Sequence, residues 1–217
     1  MSKYLQAELI RLKKRFYEYC ALVEEDVRNA VRSVYENDKE LAMQVIEKDN
    51  DIDRLEIEIE EECLKLLALY QPVAIDLRFI ISMLKINSDL ERIGDLAVNI
   101  AERSVRIIEL DQKNPVFDFT LMCERSLLMV KNSIDALIEL DEKKAEAVME
   151  ADEEIDELHK NVFKKVGDAL KDKPNSFEIL SQYLTISRAL ERIGDHATNI
   201  AEDVVYMING TIVRHQG

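Results

Sequence analysis

One stretch of thirteen residues occurs twice in this sequence, one hundred residues apart. LERIGDLAVNIAE spans residues 90–102, LERIGDHATNIAE spans residues 190–202, and eleven of the thirteen positions are identical. The residues upstream of each copy also match, with a small shift in register. The chain is therefore predicted to be a duplicated unit, and its function is expected to depend on what both copies retain.

Apolar residues recur at helical spacing along nearly the whole chain, which predicts α-helices throughout. Asp38, Asp141 and Ser176 are suitable N-cap residues, and all three prolines fall between the helical stretches, with Asn114 and Pro115 at the exit of the third helix. Six helices are predicted, over residues 2–37, 38–71, 73–112, 116–140, 141–173 and 176–210.

The fold class is all-α, because the helices leave no segment for strands. Short connections make consecutive helices antiparallel neighbours, so each copy of the repeat is predicted to form an antiparallel three-helix bundle. The predicted domains are residues 1–113 and residues 114–217, two tandem bundles related by internal duplication.

The formal net charge of −15 argues against binding to nucleic acid or to anionic lipid, since both would be repelled. An acidic surface instead attracts cations and basic protein surfaces. Cys20, Cys63 and Cys123 are widely spaced, which favours buried apolar residues in a reducing compartment. Without a signal peptide or a long apolar run, the protein is expected to be soluble and cytoplasmic, with no insertion into the membrane.

Each copy of the repeat carries a polar row on its last helix, with residues four, four and three positions apart on one face. The rows are Glu91, Asp95, Asn99 and Glu102, then Glu191, Asp195, Asn199 and Glu202. An acidic pair on the preceding helix accompanies each row, Asp49 with Asp53 and Asp152 with Asp156. Because apolar residues occupy the opposite face of each last helix, the rows are expected on the outside of the bundles.

Two interpretations of these carboxylates remain open. Oxygen-rich clusters are the ligands that Mg, Ca, Mn and iron prefer, and two neighbouring helices could bring four carboxylates together. A chain with 44 acidic residues also carries many such pairs on solvated helix faces, where the repulsion costs only about 0.2 to 0.5 kcal/mol per pair. Recurrence in both copies favours metal sites.

Gly94 and Gly194 each precede an aspartate of the polar row, although glycine weakens a helix by about 1 kcal/mol. Close approach of a neighbouring helix or of a ligand would explain them. Arg92 and Arg192 either pair with the acidic row or bind an anion or a partner. His196, which replaces Leu96 of the first copy, is a candidate metal ligand or hydrogen-bond donor.

The two ERIGD stretches, the upstream DNDID and DEEID segments, and the DLR at residues 76–78 resemble the PhoU family of phosphate-transport regulators. The resemblance covers nearly the whole chain. It implies a cytoplasmic, usually dimeric protein that restrains phosphate uptake and phosphate-starvation signalling. Its implied partners are the phosphate ABC transporter and a membrane sensor histidine kinase.

The resemblance also implies multinuclear metal clusters, of iron or zinc, held by the (E/D)xxxD pairs. Carried over to this sequence, the implied ligands are Asp49, Asp53, Glu91 and Asp95 in the first half and Asp152, Asp156, Glu191 and Asp195 in the second. Asp76 is a weaker candidate, because the second half has no equivalent DLR segment.

The protein is not expected to be an enzyme. The sequence contains no GxxxxGK[ST], GxSxG or HExxH motif, and its nearest approach to a di-iron ligand pair is Asp156 with His159. Two alternatives stay open: a metal-free helical adaptor whose acidic faces bind basic partner surfaces, and a metal-dependent hydrolase or oxidase.

Overall fold

In a computed structural model, residues 3–110 and 117–210 are described, and they form six α-helices and no strand. This confirms the all-α prediction and the order of the elements. The helices are α1 (Lys3–Glu36), α2 (Lys39–Tyr70), α3 (Ala74–Glu109), α4 (Thr120–Glu139), α5 (Glu142–Asp172) and α6 (Phe177–Asn209).

Two of the predicted N-caps are confirmed. The Asp38 carboxylate accepts a hydrogen bond from Leu41 N at 2.9 Å, and the Asp141 carboxylate accepts one from Lys144 N at 3.1 Å. Each satisfies a backbone donor that has no partner inside its helix. The cap is a local property of sequence, which is why both copies of the repeat show it at the same place.

The prediction that Ser176 caps α6 was wrong. Its side chain makes no capping hydrogen bond, because Pro174–Ser176 form a single 3₁₀ turn that leads directly into the helix. Pro72 and Pro174 do lie between helices as predicted. The proposed exit of the third helix at Asn114 and Pro115, and the domain boundary after residue 113, lie outside the described residues.

Helix α4 begins at Thr120, four residues later than predicted. Phe117 and Phe119 are both buried and pack against Tyr183, with ring centroids 5.4 and 6.2 Å from it. Asp118 between them accepts hydrogen bonds from Thr120 N at 2.8 Å and from the Tyr35 hydroxyl at 2.6 Å. This non-helical anchor holds two aromatic rings in the core, a tertiary effect that helical periodicity does not reveal.

The six helices form two layers. Helices α2, α3, α6 and α5 lie side by side in that order, and α1 and α4 form the second layer beneath them. Each half is the predicted three-helix bundle, α1 to α3 and α4 to α6. In addition α3 packs along α6, so the two bundles share one continuous apolar core.

The contact between α3 and α6 carries a series of polar pairs that fix its direction. In order along α3 these are Arg78 with the Met207 carbonyl, Lys85 with Asp203, Asp89 with His196, and Arg106 with Glu178. Residue numbers on α6 fall as those on α3 rise, so the helices are antiparallel. We call this contact between α3 and α6 the seam. It places the outward-facing sides of the last helices of both repeats in the same layer.

Cys20, Cys63 and Cys123 are buried and free, as predicted. Their thiol pKa values are all raised, mainly by burial. No helix in the described part of the chain combines the length and the apolar character needed to cross a bilayer.

Candidate functional site

The register between α2 and α3 is fixed by two contacts. Asn87 Nδ2 donates to the backbone oxygen of Glu56 at 2.8 Å, and Gly94 packs against the side chain of Ile52. Because the helices are antiparallel, each step forward along α2 is a step back along α3. Asp53 is therefore level with Glu91, and Asp49 is level with Asp95.

These four carboxylates form the first acidic site. Asp53 and Asp95 are exposed, and Asp49 and Glu91 are half-buried. Burial raises the pKa of Asp49, Glu91 and Asp95, and the charge of Asp53 raises all three further. The structure therefore brings the predicted side chains of the first half within electrostatic reach of one another.

Two buried groups of α1 lie beneath the first acidic site. Burial, followed by the charges of Glu56, Glu91 and Asp53, raises the pKa of the Tyr19 hydroxyl. That hydroxyl has no hydrogen-bond partner among the described residues. Asp26 is only 6% exposed, and burial raises its pKa to about 6, with further increases from the charges of Glu25, Asp49 and Asp51 opposed by Lys48.

Asp26 was missed by the sequence interpretation. A signal was present, because Asp26 follows Val23 by three residues and precedes Ala30 by four, which is the spacing of core positions on α1. The equivalent position in the second half is Met129, so comparison of the two copies gave no reason to select it.

The second acidic site consists of Asp152 and Asp156 on α5 with Glu191 and Asp195 on α6. Burial raises the pKa of Asp152, and the charges of Asp195 and Asp156 raise it further, while the Thr198 hydroxyl lowers it. Burial and then the Asp195 charge raise the pKa of Glu191, opposed by Arg188. The four predicted side chains of the second half are therefore also within electrostatic reach.

Glu191 departs from the predicted position on the outside of the bundle, since it is only 8% exposed. Its Oε1 accepts from Arg188 at 2.7 Å, whereas its Oε2 is buried and has no partner among the described residues. Arg188 was missed because Ser88 occupies the same place in the first copy. The second site thus holds a paired cation that the first site lacks at this position.

The two sites also differ one turn further along. His159 Nδ1 lies 2.9 Å from Ser187 Oγ, where the first half has Glu56 and Asn87. Burial and Arg188 lower the pKa of His159, and Asp156 partly opposes them. His159 is therefore held toward its neutral form beside Asp156.

The two repeated glycines mark close contacts between helices. A Cβ at Gly94 would lie 3.0 Å from Ile52 Cγ2, and a Cβ at Gly194 would lie 3.3 Å from Asp152 Oδ1. A neighbouring helix therefore accounts for both glycines. At Gly194 the missing Cβ also leaves room for a carboxylate of the second acidic site.

The remaining candidates have other surroundings. Arg92 and Arg192 are exposed and form no ion pair with a described residue, but the charge of Arg92 lowers the pKa of Glu91 in the first acidic site. Asp76 lies in the first turn of α3, about 20 Å along the helix from Glu91. His196 contacts Asp89 in the seam at 2.9 Å, so it is a hydrogen-bonding residue between the halves.

The chemistry of the donor set fits a hard cation, because the acidic sites offer carboxylate oxygens whose mutual repulsion an ion would relieve. The unpartnered Glu191 Oε2 is the atom that most favours an added cation. Within residues 3–110 and 117–210, no three His, Cys, Asp or Glu side chains are grouped to hold a single ion. Shared coordination would therefore require side-chain rotation.

Comparison with known proteins identifies related chains over the whole length. The family described as PhoU domain matches residues 16–104 and again residues 119–204. The phosphate-specific transport system accessory protein PhoU homolog of Pseudomonas putida is 37% identical, covering 100% of this chain and 85% of that protein. Homolog 1 of Thermotoga maritima is 36% identical, covering 95% and 90%.

Solved structures agree with this similarity. The crystal structure of PhoU from Pseudomonas aeruginosa has a TM-score of 0.88 at 35% identity, covering 95% of this chain and 99% of that one. The phosphate transport system regulatory protein PhoU from Streptococcus pneumoniae has a TM-score of 0.89 at 33% identity, covering 96% and 99%.

Proposed function

This chain belongs to the PhoU family, and we propose that it is a cytoplasmic accessory protein that restrains phosphate uptake and phosphate-starvation signalling when phosphate is sufficient. The observation that carries the proposal is the family match in both halves, together with full-length relatives named as accessory proteins of the phosphate-specific transport system. A regulator of this kind acts by binding rather than by catalysis.

We propose that the partners are the cytoplasmic side of the phosphate ABC transporter and a sensor histidine kinase, and that the active form is a homodimer. The supporting feature is the layer formed by α2, α3, α6 and α5, which presents both acidic sites on one broad surface. Such a surface suits partners that carry basic patches.

We also propose that the acidic sites bind metal ions, in multinuclear clusters of iron or zinc, with Mg, Mn or Ca as other candidates. The ligands would be Asp49, Asp53, Glu91 and Asp95 in the first site and Asp152, Asp156, Glu191 and Asp195 in the second. Bound ions would supply positive charge between two helices. The carboxylates of α2 and α3, and of α5 and α6, would then be held together rather than repelled.

A second candidate is the metal-free helical adaptor. It is favoured by the absence, among the described residues, of three side chains already grouped around one point. In that version the acidic sites bind lysine and arginine side chains of the transporter or kinase directly. The two versions differ in metal content and agree on the regulatory role. A metal-dependent hydrolase or oxidase is the remaining alternative, and a turnover assay on metal-loaded protein would detect it.

The regulatory role is tested by gene deletion in the source organism grown in high phosphate. Loss of the gene should raise expression of phosphate-starvation genes, and the intact chain supplied in trans should restore repression. A variant with Asp53→Asn, Asp95→Asn, Asp156→Asn and Asp195→Asn should restore less repression. Its matched control carries Glu47→Gln and Glu153→Gln, exposed acids on the same helices α2 and α5 outside the two sites. Normal repression in the deletion strain would refute the regulatory role.

A further inference from the structure

The outward face of α2 carries large apolar residues beyond the first acidic site, with the exposed Glu60 between them. Ile57 follows Asp53 by four residues, and Leu64 follows Ile57 by seven, so all three share one face of the helix. Ile57 is 54% exposed and Leu64 is 51% exposed. Two large apolar side chains are therefore exposed to solvent on the same face of α2 as the first acidic site.

Helix α3 also carries apolar residues in line with its acidic ones, and here the apolar residues come first along the chain. Leu77 and Ile81 are four residues apart, and Ile81 precedes Asp95 by fourteen residues, close to four helical turns. Leu77 is 39% exposed and Ile81 is 37% exposed. They therefore lie on the face that carries Asp95, toward the beginning of α3.

The register that pairs Glu56 with Asn87 brings these residues to matching levels. Counting along the antiparallel helices places Leu64 level with Ile81, because the C-terminal end of α2 lies beside the N-terminal end of α3. We call Ile57, Leu64, Leu77 and Ile81 the apolar patch. It directly continues the first acidic site along the same pair of helices.

The second half does not repeat the apolar patch. Lys160 stands in place of Ile57, Gly167 in place of Leu64, and Ser181 in place of Ile81, while Phe177 keeps the apolar character of Leu77. Packing of the duplicated fold thus does not require apolar side chains at these positions. The patch is a property of the first half alone, and exposed apolar side chains bordered by polar residues, here Glu60, commonly mark a site of protein association.

We propose that the apolar patch and the first acidic site together bind an amphipathic helix of a partner protein, one whose apolar face ends in lysines or arginines. The apolar side chains are spaced by one and two helical turns, which matches the anchors of a helix lying in a groove. The carboxylate of Glu60 and, in the metal-free protein, those of the first acidic site provide charge complementarity for its basic end. A second copy of this chain, with a net charge of −15, offers a poorer match.

This inference deepens the proposed regulatory role, because it names the face through which a partner is bound. It is tested with the isolated full-length chain and needs neither transporter nor kinase. Binding at this face can therefore fail while the deletion phenotype stands, and the phenotype can fail while binding stands.

The probe is a fluorescein-labelled peptide of about eighteen residues, with leucines three and four residues apart on one face and lysines grouped toward one end. Its control has glutamates in place of the lysines. Fluorescence anisotropy in chelator-treated buffer gives the Kd for the intact chain and for a variant with Leu64→Ser and Ile81→Ser. Phe163→Ser is the matched control variant, since Phe163 is 62% exposed on α5, outside the patch. Thermal unfolding confirms that each variant is folded.

The basic peptide should bind the intact chain, and the Leu64→Ser, Ile81→Ser variant should weaken it about tenfold or more, as expected when central apolar anchors are lost. Phe163→Ser should leave the Kd unchanged, and the glutamate peptide should bind far more weakly. Equal binding by the patch variant, or by the glutamate peptide, would overturn the proposal. So would sedimentation showing that the patch variant converts a dimer to monomer, because the occupant would then be a second copy.

Discussion

Asp89 of α3 and His196 of α6 contact each other across the seam, with Oδ1 and Nδ1 2.9 Å apart and side chains only 14% and 8% exposed. The equivalent residues of the other copy are Ala189 and Leu96, both buried. The two halves therefore differ at this point of the seam. Asp89 and His196 form a polar pair, whereas the two positions equivalent to them are apolar.

His196→Leu should lower the free energy of unfolding by about 1 to 3 kcal/mol, because it leaves the Asp89 carboxylate nearly buried without its partner. Adding Asp89→Ala should recover most of that loss, since the pair then has the residue types found at 96 and 189. Urea unfolding of the two single variants and the double variant measures the coupling. Additive effects of the two substitutions would contradict a specific pair.

The seam shows where sequence interpretation reached its limit. Helix positions and the Asp38 and Asp141 caps were predictable, because they depend on residues a few positions apart. Packing of α3 on α6 depends on residues about a hundred positions apart. Its trace in the sequence was a set of departures from the repeat, among them aspartate for alanine at 89 and histidine for leucine at 196.

The acidic sites were predictable for the opposite reason. Asp53 and Glu91 were selected because both copies keep an acid there, and the antiparallel pairing of neighbouring helices brought them level. Asp26 and Arg188 were missed because each occurs in one copy only. Comparison of repeats finds what the halves share and overlooks what distinguishes them.

Gly94→Ala should destabilise the chain although alanine is the better helix former. The new Cβ would lie 3.0 Å from Ile52 Cγ2, and Ile52 is buried and β-branched, so it has little freedom to move. Overpacking costs about 1 to 3 kcal/mol, against a gain of about 1 kcal/mol in helix propensity.

Gly167→Ala, in the last two turns of α5, is the matched control, because no atom of another helix lies within 4 Å of its Cβ position. It should stabilise the chain by up to about 1 kcal/mol. Thermal and urea unfolding of both variants compare the two effects. A stabilising Gly94→Ala would show that α2 can move away from α3 at this point.

Asp26→Asn should raise the free energy of unfolding near pH 7, in buffer without divalent cations, by about 1 to 3 kcal/mol. Burial raises the pKa of Asp26 from 3.8 to about 6, so between these values the folded chain binds more protons than the unfolded chain. Its contribution to stability is therefore present at low pH and is lost as pH rises through about 6.

The measurement is urea unfolding at several pH values from 4 to 8. The asparagine variant should show a smaller loss of stability across this range than the intact chain. Glu153→Gln, at an exposed position on α5, a helix that does not pack against α1, is the control and should leave the pH dependence unchanged. The same slope in all three proteins would mean that Asp26 does not titrate in this range.

Metal content distinguishes the two versions of the proposed function. Untagged protein, loaded with iron or zinc and then desalted, should retain several ions per chain by plasma mass spectrometry. A variant with Glu91→Gln, Asp95→Asn, Glu191→Gln and Asp195→Asn should lose them, because each site keeps only the two aspartates of α2 or α5. The Glu47→Gln, Glu153→Gln control should keep the same metal content, and circular dichroism should show equal helicity in all three.

Equal metal content in the amide variant and in the control would exclude the four substituted residues as ligands. Little metal in any of the three would favour direct binding of basic partner side chains, and the amide variant should then weaken that binding.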